Sequence, residues 1–70
     1  MPDGPWSSGC YDEVVSGMHV HRTEDGRRVV TAVLGKAEVA GADGHATYWL
    51  KLRLGGRETW DWASRWEAGA

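Results

Sequence analysis

Trp49, Lys51 and Arg53 alternate with leucines in the stretch HATYWLKLRL, and Asp61 follows in RETWDW. On an extended strand this spacing places an indole and two cations on one face. An exposed ring beside cations can anchor a protein partner or stack on a nucleobase while a cation meets phosphate. Trp49, Lys51, Arg53 and Asp61 are therefore the candidate binding residues, with Asp61 expected beside Lys51 or Trp49 on the neighbouring strand.

Other residues with chemical potential do not assemble into a reaction centre. His19 and His21 share a strand face and His45 sits elsewhere, but a zinc or nickel site needs three or four supported ligands. The histidines read as solvent-facing groups, and no metal or cofactor is expected. Cys10 lies in a Ser/Gly-rich stretch without the rigid setting that a nucleophile requires, and reads as an incidental surface thiol. The glycine pairs mark turns rather than phosphate loops, since no helical pattern follows them. The expectation is a binding protein and not an enzyme.

The elements that must position these residues are short strands. Seventy residues make one domain, and a chain of this size hides only about 60% of its unfolded surface. The single cysteine gives no internal disulfide, which points to a reducing compartment, and the cytoplasm is the expected location. No apolar run approaches a membrane span, and MPDGPWSSGC shows no secretory pattern. Eight Lys and Arg against ten Asp and Glu give a net charge of −2, with the signs interspersed, which argues against broad attraction to phosphate. Without Phe or Ile, the core falls to Trp, Leu and Val.

Residues 1–12 read as a flexible arm carrying Trp6, and residues 13–70 as the folded domain. GMHVHR alternates like a strand and ends in TEDG, a tight-turn signal. RRVVTAVL is a second strand that runs on through a bend at Gly35 into KAEVA as a third. GADG turns the chain into HATYWLKLRL, whose inner face carries Tyr48, Leu50, Leu52 and Leu54. Gly55-Gly56 leads into RETWDW, and ASRW supplies one 3₁₀ turn with Trp66 closing an end of the core.

The register of the last hairpin decides the role of Trp60 and Trp62. A two-residue loop would set Asp61 against Leu50 and bury a carboxylate against leucine; an odd-length loop would add both tryptophans to the leucine layer. The odd loop is expected, with Trp60 and Trp62 in the core and Trp49 largely exposed.

The order of GMHV, TEDGR, VVTAVLG, the central strand, GGRETWDW and ASRWEAGA resembles small SH3-like β-barrels of the Tudor and KOW type. It is also similar to short, uncharacterised actinobacterial proteins with a comparable hairpin near the end, in keeping with a composition typical of GC-rich coding. The resemblance spans about residues 16–70 and implies an all-β, five-stranded SH3-like barrel with one 3₁₀ turn near the C-terminus. It further implies binding rather than catalysis. An aromatic cage of the Tudor kind has no counterpart in the ring spacing, and the acidic charge departs from KOW-type RNA binders. Two functional expectations follow: a noncatalytic protein-binding or accessory module, with self-association as a homodimer among its forms, and a single-stranded nucleic-acid binder. No membrane partner is expected.

Overall fold

The computed structural model describes residues 6–69. Strands β1 (His19–Glu24), β2 (Arg27–Ala40), β3 (Ala46–Leu54) and β4 (Arg57–Trp62) lead to a 3₁₀ turn, Ala63–Arg65, and a short β5 (Glu67–Ala68). All pairings are antiparallel, and the sheet order is β4-β3-β2-β1-β5. The protein is all-β with five strands, as its turn spacing implied. β4 and β5 remain the edges of the sheet, so the pairing does not close into a ring.

Strand β2 organises the molecule because it serves two neighbours along different lengths. Arg27 to Ala32 pair with β1, whereas Val33 to Ala40 pair with β3. The pairing slips by one residue between Val33 and Gly35, a bulge that bends the strand where it passes from one neighbour to the other. The bend expected at Gly35 is thus a bulge within one strand rather than a break between two. Thr31 ties the halves together: its buried hydroxyl donates to the Arg53 carbonyl oxygen at 2.8 Å.

The enclosed core contains Cys10, Val14, Val20, Val33, Leu50, Leu52, Ala63 and Trp66. Strand alternation supplies most of it, since Leu50 and Leu52 face inward and Val20 and Val33 meet them from β1 and β2. Trp66 enters from the residue after the 3₁₀ turn and is only 3% exposed. Arg22 lies over its ring at 5.7 Å, so the guanidinium roofs the indole while pairing with Glu24 at 3.1 Å.

Cys10 corrects the reading of an incidental surface thiol. It is buried, and its Sγ lies 3.7 Å from the Ala63 carbonyl oxygen. Turns over residues 8–14 bring it there: the Tyr11 amide donates to Ser8, and those of Glu13 and Val14 donate to Cys10. Gly9 permits the close approach, with a positive φ of 51° and no room for a side chain against Ala63 and Ser64. Lys36 then fastens Tyr11, donating to its carbonyl oxygen at 2.8 Å and lying 4.4 Å from its ring centre. The arm expected over residues 1–12 falls partly outside the described residues; within them, Trp6 is exposed while Cys10 joins the core.

The odd-length hairpin loop is also corrected. Leu54 pairs with Arg57 around a two-residue Gly55-Gly56 turn, with φ of 58° and 78° at the two glycines. Successive positive φ values are those of a type I′ turn, whose twist matches the flanking strands and which glycine adopts without steric penalty. Consequently Leu50 faces Asp61, Lys51 faces Trp60 and Trp49 faces Trp62. Trp60 and Trp62 leave the leucine face, and Trp66 alone of the three supplies the core.

Candidate aromatic and basic surface

Register parity gathers the outward-facing side chains of the hairpin. Trp49, Lys51 and Arg53 on β3 stand opposite Trp62, Trp60 and Glu58 on β4, respectively. Residues directly opposite in an antiparallel pair share a face, so all six form one surface. Ala37 and Gly35 on β2, paired with Trp49 and Lys51, continue it as a low floor.

Two of the three tryptophans pack against each other. Trp49 and Trp62 meet edge to face, with ring centres 6.0 Å apart and planes at 62°, an arrangement that sets a positive ring edge against a negative face. The Trp49 Nε1 donates to the Thr47 hydroxyl at 2.9 Å. Trp62 Nε1 is buried and has no hydrogen-bond partner among the described residues. Trp49 is partly buried rather than largely exposed, because Trp62 covers its edge. Trp60, by contrast, keeps 48% of its surface open.

Charge frames these rings. The Lys51 Nζ lies 5.9 Å from the Trp60 ring centre and 3.1 Å from the Glu58 carboxylate. Arg53 reaches the other oxygen of Glu58 at 3.5 Å. Two cations therefore share one carboxylate, leaving local positive charge beside an exposed indole. Such a surface suits a partner offering an apolar group and an acid.

Asp61 is the one predicted site residue outside this surface. Its carboxylate lies on the opposite face, opposite Leu50, at the edge of the core. The objection to this register disappears once the C-terminal turn is in place. Asp61 Oδ2 accepts the Trp66 indole N–H at 2.9 Å, while Oδ1 accepts the Trp62 backbone N–H at 2.8 Å and lies 3.5 Å from the Arg65 guanidinium. The carboxylate is thus a structural acceptor that satisfies the buried indole of Trp66.

Trp60, Trp62 and Glu58 were the surface residues missed by sequence reasoning. Their signal was the symmetry of numbers around Gly55-Gly56, since a two-residue loop pairs Trp49 with Trp62 and Lys51 with Trp60. The histidines do not join this surface: His21 Nδ1 lies 3.0 Å from the Gly69 carbonyl oxygen, and His45 sits beside Asp43 at 3.3 Å. The His45 backbone N–H and ring together hold the Asp43 carboxyl below its ordinary range. No family model matches the chain, and no curated protein or solved structure is detectably similar to it.

Proposed function

We propose that this chain is a small noncatalytic protein-binding or accessory module whose contact surface is the outer face of the β3–β4 hairpin. The exposed Trp60 ring carries this reading. The core is already filled by Leu50, Leu52, Val20, Val33 and Trp66, so the fold has no packing requirement for an indole at that position. Trp49 and Trp62 share its face as a packed pair, and Lys51 and Arg53 supply directional charge. This is the composition of an interface anchor. Action in the cytoplasm without a cofactor completes the reading.

An SH3-like barrel is the architecture we assign to this module. Support comes from the bent β2 shared by two sheet halves and from the 3₁₀ turn between β4 and β5. The assignment rests on topology and carries no function with it.

A second reading, single-stranded nucleic-acid binding, is favoured by Lys51 lying beside the exposed Trp60 ring. Fluorescence titration with oligonucleotides at low and moderate salt separates the two. Salt-sensitive quenching supports the nucleic-acid reading, and its absence supports the protein module. For the module, capture from cells of the source is compared between wild type and Trp60→Ala. The variant is expected to melt normally and lose its partner, by about 2 kcal/mol for an anchor residue. Equal capture by both proteins would remove the surface from the function.

A further inference from the structure

Strand β4 is an open edge, and its free backbone groups are of limited number and defined position. A two-residue turn closes on a hydrogen-bonded pair, here Leu54 and Arg57, and pairs alternate from there. The backbone groups of Arg57, Thr59 and Asp61 are thereby turned toward β3. Those of Glu58, Trp60 and Trp62 are turned outward. The Trp62 N–H confirms this direction, since it donates to the Asp61 carboxylate rather than to β3. Among the described residues, Glu58 and Trp60 thus present free N–H and C=O groups along the edge.

Natural edges are commonly guarded by charged side chains, lysine above all, by proline or by a bulge, and a charge guards against a second copy only where it meets no opposite charge there. Arg57 to Trp62 contain no lysine or proline, and their pairing with β3 shows no register shift. The side chains of this edge are also complementary to themselves. Arg57 is exposed and has no ion-pair partner among the described residues, while Asp61 four positions away keeps 20% of its side chain accessible. Both lie on the same face of the strand.

We infer that β4 is the contact for a second copy of this chain, paired antiparallel across a twofold axis at Thr59. The inference rests on the reading of the β3–β4 hairpin as a contact surface and names the partner. In this register Glu58 faces Trp60 of the partner subunit, and the reciprocal pair repeats the contact. Every free N–H and C=O of Glu58 and Trp60 is then used, and the already satisfied Trp62 N–H is not needed. Arg57 faces Asp61 of the partner subunit at a non-hydrogen-bonded position, where side chains approach most closely. The twofold axis makes this opposite-charge pair twice. The exposed Trp60 ring meets the partner's Trp60 diagonally, within aromatic reach. A shift that paired Trp60 with its own symmetry mate would need the occupied Trp62 N–H and would leave Arg57 without an acid.

The test is the mass of the full chain by sedimentation equilibrium across a concentration series, joined to amide exchange. Wild type is expected to double its mass as concentration rises, with exchange slowing at Glu58 and Trp60. Arg57→Glu sets like charges opposite one another at both pairs and is expected to remain a folded monomer, because the Arg57 side chain is exposed and has no ion pair among the described residues. Thr59→Cys, oxidised with diamide, is expected to form a covalent dimer, since the two positions face each other directly; buried Cys10 stays out of the reaction. A wild type that is monomeric throughout the series overturns the inference. So does a dimer that survives Arg57→Glu unchanged, or one that cross-links through Trp60→Cys but not through Thr59→Cys. A monomeric wild type that still captures another protein through Trp60 would overturn the second copy as partner while leaving the aromatic surface standing.

Discussion

Trp60 and Trp66 are the same residue type six positions apart, and the fold gives them opposite duties. Trp66 is 3% exposed and spends its indole N–H on Asp61, whereas Trp60 is 48% exposed and rests against Lys51. Trp66→Ala removes a large buried ring and is expected to cost roughly 3–5 kcal/mol, comparable with the whole stability of so small a domain. Trp60→Ala loses mainly a solvent-side contact with a cation and is expected to cost under about 1 kcal/mol. Chemical denaturation of the two variants checks the contrast, and an equal loss in both would return Trp60 to the core. Asp61→Ala belongs with Trp66. It leaves a buried indole N–H without an acceptor, for an expected loss of about 1–3 kcal/mol, and Asp61→Asn should recover part of it because an amide oxygen still accepts.

The β3–β4 hairpin shows how one element sets the surface. Its strands were legible because Tyr48, Leu50 and Leu52 alternate with Thr47, Trp49 and Lys51, and because Gly55-Gly56 punctuates them. The loop length was not legible from the carboxylate, because Asp61 finds its acceptor duty in residues beyond the strand. The turn itself offers a direct check. Gly55 adopts a φ of 58° with open space around its missing side chain. Asparagine tolerates that conformation and restricts the unfolded chain, so Gly55→Asn is expected to stabilise by about 0.4–1 kcal/mol. A valine there, β-branched at positive φ, is expected to destabilise instead. Thermal melts of both variants report the turn type, and an odd-length loop would not produce this pair of opposite shifts.

At the scale of the whole molecule, the segment before β1 is part of the closure of the core. Cys10 and Val14 are buried with Leu50, Leu52 and Trp66, so the first turns and the last turn seal the same interior. Burial pushes the Cys10 thiol above its ordinary value of 9.0. The fold favours the neutral thiol, and its contribution is complete below that value and lost as pH rises through the elevated folded-state value. Stability is therefore expected to fall in alkaline solution, and Cys10→Ala is expected to blunt that fall. Native-state alkylation of Cys10 should proceed only through opening of the core, at a rate that tracks unfolding. Alkylation as fast as that of a free thiol would show the segment undocked. Among the described residues no helix is long and apolar enough to cross a membrane.

The sequence by itself determined the class of structure and the position of its turns. Alternation is a local property, and Asp25-Gly26, Gly41 to Gly44 and Gly55-Gly56 each restrict the backbone within a few residues. It likewise placed Trp49, Lys51 and Arg53 on one face, since parity along a single strand needs no partner. Only the tertiary structure decided which tryptophans join them. That choice turned on whether Asp61 could face the leucine side, and the answer came from Trp66 and Arg65, which return to the strand through the 3₁₀ turn and satisfy its carboxylate. Burial of Cys10 was decided in the same way, by contact with Ala63 far along the chain. A local pattern records where a side chain points, whereas the cost of burying it depends on groups that only folding brings within hydrogen-bonding distance.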